Sequence, residues 1–310
     1  MTYSLVKKAS LLSSMKRHKW LYIMLIPGAL FYVVFKFYPF SFLIIVFQDY
    51  FPTLGILKSP WVGLKNFTDF FSAGGVYNFP LLMRNTILLA FYNLVFYFPI
   101  PLILSLLLNE VRHSWYKRVT QSLVYLPHFL SWSVLVGLVY LFIGPTGVVS
   151  TMMRAQGMRG LDMITNPAWF RPLIVIEIIW KEAGWGTIVY LAALSSVDEQ
   201  LYEAATIDGA GRLNQLWHIT LPCIRSTIII LLILRMGSFM DTGFEQIFLM
   251  RNSLNRSVAE VFDTYVYVRG VREGYFSYAS AVGLFKSSIS LVLVLATNRL
   301  AHLFGEEGVF

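Results

Sequence analysis

Apolar residues along the chain are gathered into blocks of about 20 or more, separated by shorter stretches where charges and turn residues collect. An α-helix needs roughly 20 such residues to cross the ~30 Å hydrocarbon layer of a bilayer. Six blocks meet that condition, at about 21–47, 85–108, 119–143, 172–194, 223–248 and 279–304. The pattern predicts an all-α fold, a polytopic membrane helical bundle with six transmembrane helices. Pro27, Pro39, Pro99, Pro101 and Pro127 fall inside the blocks, where neighbouring helices can re-satisfy the carbonyls that proline frees, and they predict kinks.

Composition agrees with this reading and narrows the chemistry. Of 310 residues, 56% are hydrophobic and 14% charged, against about a quarter charged in soluble domains. The net charge of +8 is expected where basic residues hold helix ends at anionic headgroups, so the partner it implies is membrane lipid, with no nucleic acid. The single Cys223 and five scattered histidines, at 18, 113, 128, 218 and 302, have no metal-ligand spacing. No catalytic residue, metal ligand or resident cofactor is expected.

Residues 1–20 carry Lys7, Lys8, Lys16, Arg17 and Lys19, which place this end in the cytoplasm. Leu5, Ala9, Leu12 and Met15 stand at helical spacing, which fits a surface helix over 3–19 or a frayed basic tail. A transmembrane domain over 21–304 and a cytoplasmic tail over 305–310 follow. Six crossings leave 109–118 and 195–222 inside, and 48–84, 144–171 and 249–278 outside. Counting Arg225 and Arg299 at the inner ends of their spans, Lys plus Arg number eleven on the inner side and ten on the outer segments, so the N-terminal cluster alone sets the orientation.

The inner segment 195–222 is the most informative. Ser196 and Glu199 have the spacing of a capping box, Leu201, Ala204, Ala205 and Ile207 supply an apolar face, and Gly209 and Gly211 permit a sharp change of direction. A second short helix follows, with Leu213, Leu216 and Trp217 on one side, and Pro222 suits the first turn of the next span. Glu203-Ala204-Ala205, then three residues to Gly209, nine more to Ile219, and Leu221-Pro222 make seven positions at fixed spacing.

That spacing resembles the EAA loop of ABC importer permeases. Further segments, Tyr125-Leu126-Pro127-His128-Phe129, Trp180 to Gly186, Gly243-Phe244-Glu245-Gln246 and Asp263 to Tyr267, resemble the polysaccharide and oligosaccharide permeases of the carbohydrate-uptake group, near the alginate and lipoprotein-associated polysaccharide importers. The resemblance covers about residues 20 to 304. It implies a type I ABC importer permease-like fold in a prokaryotic cell membrane. It also implies that Glu203, Ala204, Ala205, Asp208, Gly209, Ile219, Leu221 and Pro222 couple the permease to a cytoplasmic ATPase. The partners implied are a second, related permease, two ATPase subunits and an extracytoplasmic solute-binding protein. ATP and Mg would be bound by the ATPase, since a phosphate-binding Gly-rich loop with Lys is absent from this sequence.

Charges inside the predicted spans have two readings. Glu177 and Lys181 are four apart, the favourable helical order, and form a self-neutralised pair. Alternatively Lys181 and Glu182, with Trp180 and Trp185, line a sugar path, since sugars are held by aromatic faces and a few convergent polar groups. If Arg235 and Lys286 share that cavity, three cations converge and suit an acidic sugar. If Arg235 pairs with Glu245 or Asp241, a neutral sugar fits equally well. A secondary transporter would show repeated halves with broken spans at matching positions, and a membrane enzyme would show clustered acids, histidines or a nucleophile. Neither pattern occurs in the sequence.

Overall fold

A computed structural model describes residues 18–72, 78–303 and 305. The basic N-terminal stretch that predicted a surface helix over 3–19, apart from His18 and Lys19, and the tail over 305–310, apart from Gly305, lie outside them. The chain divides into two compact units, Met1–Asn66 and Phe67–Phe310. Every described element is helical, apart from one isolated bridge between Gln48 and Trp61.

In the first unit, α1 (Lys19–Phe47) keeps nearly all of its large apolar side chains exposed, from Trp20 to Phe42. Water does not tolerate such a surface, whereas hydrocarbon does. The chain beyond α1 is fixed by the Asn66 amide, which donates to the Val46 and Gln48 carbonyls.

The second unit contains α2 (Phe79–Asn109), α3 (Ser114–Tyr125), α4 (Trp132–Ile143), α5 (Pro167–Leu194), α6 (Glu199–Ile207), α7 (Arg212–Cys223), α8 (Arg225–Gly237), α9 (Phe244–Met250), α10 (Phe262–Tyr267) and α11 (Phe276–Leu303). Side-chain caps set several starts. Asn78, Ser131 and Asn166 accept from the amides of Leu81, Val134 and Ala168, satisfying donors that open a helix. Two apolar clusters form the core. Leu89, Phe170, Ile174, Ile247 and Met250 anchor one, and Phe70, Leu82, Met240, Phe262 and Val282 the other.

Proline acts through the turn before it. Widened π turns cover Val33–Phe37, Asn93–Tyr97 and Leu216–Thr220, and each ends two residues ahead of a proline, Pro39, Pro99 or Pro222. Proline lacks an N–H and its ring presses on the carbonyl four residues back. An i→i−5 bond, such as Phe98 N–H to the Asn93 carbonyl at 3.1 Å, relieves both problems without breaking the helix.

The predicted span boundaries need correction. Four segments are long and apolar enough to cross a membrane, Lys19–Phe47, Phe79–Asn109, Trp132–Ala155 and Phe276–Leu303. The pair α7 and α8, bent by 60°, makes a fifth. The block at 172–194 is continuous helix within α5, but Glu177, Lys181 and Glu182 interrupt its apolar run. The block at 119–143 is broken after Phe129, where Leu130 turns extended and Ser131 opens α4. The block at 223–248 is helical only to Gly237 and resumes at Phe244, after Gly243 at φ +87°.

α5 runs through the unit and lies unusually close to α3. A Cβ at Gly184 would sit 2.0 Å from the Val124 carbonyl oxygen, a close approach that only glycine permits. Gly184→Ala is therefore expected to destabilise the chain by about 1–3 kcal/mol through overpacking. A lowered thermal midpoint of the detergent-solubilised protein would display it, and an unchanged midpoint would refute the tight α3–α5 contact.

Candidate functional site

The segment 195–222 folds as a helical hairpin. Asp198 caps α6, its carboxylate accepting from the Gln200 amide at 2.9 Å. Ser196, which the sequence suggested for this role, instead donates to the Ala193 carbonyl, because α6 begins two residues later than the capping-box spacing required. α6 ends in a left-handed turn. Gly209 has φ +80°, and the Ala210 amide reaches back to the Ala205 carbonyl at 2.8 Å, closing the helix end as a glycine-dependent cap does. The Gln215 amide then donates to the Thr206 hydroxyl and the Ala210 carbonyl, and the Tyr202 and Thr220 hydroxyls meet at 2.9 Å. These bonds hold α6 against α7.

Glu203, Ala204, Asp208, Gly209 and Pro222 are exposed, while Ala205, Ile219 and Leu221 are half-buried. Pro222 does not open the next span. It lies in the last turn of α7, where the preceding π turn accommodates it, and the bend follows at Ile224. The tip carries an apolar surface: Ile207 is 86% exposed, Leu213 72% and Trp217 65%. Arg212, the first residue of α7, reaches the Glu110 carboxylate at 3.5 Å.

Inside the bundle the three cations keep separate company. Lys181 pairs with Glu182 at 3.1 Å and donates to the His128 carbonyl at 2.6 Å, with Trp132 beneath its ammonium. Glu182 reaches His128 Nδ1 at 2.7 Å, and the His128 ring stacks on Trp185 at 4.4 Å. Lys181, Glu182 and Trp185 thus gather at the break between α3 and α4, whereas Trp180 is exposed away from it. The expected Glu177–Lys181 pair does not form. Glu177 accepts from the Gln246 amide at 2.8 Å, because α9 supplies a buried donor that competes with the helix's own i+4 neighbour.

Lys286 is clamped between the Asp241 and Asp263 carboxylates. The alternative pairings for Arg235 are likewise replaced. Asp241 is taken by Lys286, exposed Glu245 makes no ion pair among the described residues, and the Arg235 guanidinium lies over the Tyr97 ring at 5.4 Å. Of the predicted path residues, only Arg235 lines the cavity of about 260 Å³ between α2, α5 and α8. Tyr97 and Tyr190, also in its wall, were not singled out from the sequence, where 17 tyrosines offer no basis for choosing two.

A further polar cluster was not foreseen. Glu260, with no exposed side-chain surface, accepts from Arg251 at 2.7 Å and Arg256 at 2.6 Å, and from the Thr264 hydroxyl at 2.9 Å. The Asn85 amide ties α2 to this turn through the Ser257 and Glu260 carbonyls, and Arg171 of α5 donates to Asn85 in turn.

Compared with known proteins, residues 84–306 match the family described as binding-protein-dependent transport system inner membrane component. Protein LplB of Bacillus subtilis (strain 168) is 51% identical over 98% of this chain and 95% of its own length. The polygalacturonan/rhamnogalacturonan transport system permease protein YteP of the same organism is 48% identical over 98% and 94%. Among solved structures, a chain of the bacterial alginate ABC transporter in complex with an alginate pentasaccharide-bound periplasmic protein superposes with a TM-score of 0.86. It is 36% identical, covering 97% of this chain and all of that one.

Proposed function

The chain belongs to the family of binding-protein-dependent transport system inner membrane components, and from that premise we propose that it is the permease subunit of an ATP-driven importer of acidic oligosaccharides or polysaccharide fragments. It is a multi-pass membrane protein. The geometry that carries the coupling role is the hairpin of α6 and α7, whose apolar tip at Ile207, Leu213 and Trp217 stands in the open. An exposed apolar tip on a polar loop is a docking element. A separate cytoplasmic ATPase, which holds ATP and Mg, is the partner it fits, with Glu203, Ala204, Ala205, Asp208, Gly209, Ile219, Leu221 and Pro222 shaping the contact. In this reading α5 is the sixth span, its charges turned inward, and 195–222 faces the cytoplasm of a prokaryotic cell.

The substrate class is supported by the relatives. Polygalacturonan, in the name of one, and alginate, in the structure of another, are both polymers of uronic acids. A second permease, two ATPase subunits and an extracytoplasmic binding protein complete the assembly. Reconstituted with these partners, the complex is expected to hydrolyse ATP several-fold faster when its binding protein delivers oligogalacturonate or oligoalginate than with the empty binding protein. Stimulation by neutral oligosaccharides alone would remove the acidic class, and no stimulation by any sugar in an assembled complex would remove the importer reading.

A further inference from the structure

Of Lys181, Arg235 and Lys286, Arg235 alone has no carboxylate at ion-pair distance among the described residues. Lys181 has Glu182, and Lys286 has Asp241 and Asp263. No side-chain N–H of Arg235 donates a hydrogen bond to a described residue either. Arg235 sits in the last turn of α8, two residues before its end at Gly237, and an ionised side chain within a membrane segment persists where it faces the bundle interior or a wet cavity. Arg235 does so, at the wall of the cavity between α2, α5 and α8.

The cavity is small. Its volume of about 260 Å³ lies just under the ~300–1,000 Å³ of pockets that hold drug-sized ligands. The Arg235 guanidinium carbon lies over the Tyr97 ring at 5.4 Å, within cation–π distance. Its planar fork of N–H donors, unpartnered among the described residues, can meet two oxygens of a carboxylate at once. Tyr97 ends the π turn ahead of Pro99, and widened turns of this kind recur where a helix must aim a functional side chain. Tyr190 and Ser238 complete the polar lining, while Phe98, Pro101 and Leu234 supply apolar wall.

We propose that Arg235, stacked on Tyr97 in this cavity, is a binding subsite for the carboxylate of a single uronate unit of the transported oligosaccharide. The inference rests on the acidic-sugar reading given above and adds to it a location and a stoichiometry of one carboxylate in this chain. Neutralisation of the other two cations by the protein's own acids leaves them no charge to offer a substrate. Among the three, Arg235 is the one whose charge is open to a substrate carboxylate in this cavity.

The test uses the full reconstituted complex in proteoliposomes. Uptake of oligogalacturonate is compared with uptake of the same oligomer after its carboxyl groups are reduced to alcohols. Arg235→Gln is expected to lower uptake of the acidic oligomer at least tenfold and to change uptake of the reduced one less than twofold. Arg235→Lys keeps the charge without the fork and should fall between. If Arg235→Gln lowers uptake of both sugars equally, the subsite is overturned. Should Arg235→Gln fail to assemble, Arg235→Lys decides: an acidic-to-reduced uptake ratio at least threefold lower supports the subsite, and an unchanged ratio overturns it. A wild-type complex that carries the reduced oligomer and not the acidic one removes the substrate reading, and the subsite with it. A wild-type complex that prefers the acid, with Arg235→Gln preserving that preference, removes the subsite alone.

Discussion

Gly209→Val is expected to reduce uptake by at least tenfold in a complex whose permease still inserts in the membrane at normal levels. Space is not the obstacle, since a Cβ at Gly209 meets nothing within 4 Å. The obstacle is the backbone at φ +80°, a region that costs L-residues roughly 1–2 kcal/mol and is a true outlier for a β-branched side chain. Valine would relieve that strain by opening the turn, which breaks the Ala210-to-Ala205 bond and swings Ile207 away from Leu213 and Trp217. Because the loop is exposed, folding of the bundle should survive. Gly209→Asn, which tolerates the left-handed region, should retain most of the uptake. Co-purification of the ATPase with each variant separates loss of docking from loss of insertion, and normal transport by Gly209→Val would defeat the coupling role of the hairpin.

The largest loss of stability is expected from Glu260→Ala. Its carboxylate is fully buried and neutralises Arg251, whose side chain is 12% exposed, together with the more solvated Arg256. Removing one partner of a buried ion pair leaves an uncompensated charge and costs about 3–5 kcal/mol. The deletion also removes one of the two acceptors of the Thr264 hydroxyl, leaving the Val261 carbonyl, in the turn that Asn85 ties to α2. The thermal midpoint of the purified protein should fall well below that of Glu260→Gln, which keeps an acceptor and the side-chain shape. Both variants lack the charge, so equal midpoints would mean that the retained acceptor and side-chain shape contribute nothing and that the loss comes from the charge alone.

Local features of this fold were legible in the sequence, and tertiary ones were not. Long apolar runs marked helices correctly, because length and composition are all that a lipid-exposed helix such as α1 requires. The hairpin at 195–222 was legible because glycine and proline positions constrain the backbone directly. Span limits failed at 130 and at 238–243, where the apolar run continues through a turn closed by Ser131 or Gly243. Ion pairs failed more broadly. Lys286 meets partners 45 and 23 residues away, and Glu177 meets Gln246 69 residues away, so helical spacing favoured Lys181 for Glu177 when the packed neighbour was a glutamine. Asp198 displaced Ser196 as the cap by a shift of helix start too small for a spacing rule to resolve.

The π turn in α2 also works as a phase correction. Ahead of it the buried positions are Leu82, Asn85, Thr86, Leu89, Ala90 and Asn93, and beyond it they are Pro101, Ser105 and Leu108. Stepping from Leu82 by ~3.6 residues per turn lands near residues 100, 104 and 107. The later buried set therefore sits about one residue late. The widened turn takes up one residue without a matching advance along the axis and rotates everything downstream by about 100°. α2 thus behaves as two screws of the same pitch cut out of phase and joined at Asn93–Tyr97. The number of residues in that joint, more than their identity, decides that Pro101 and Ser105 face inward and Leu107 outward, and it is the reason a single period cannot describe the helix from end to end.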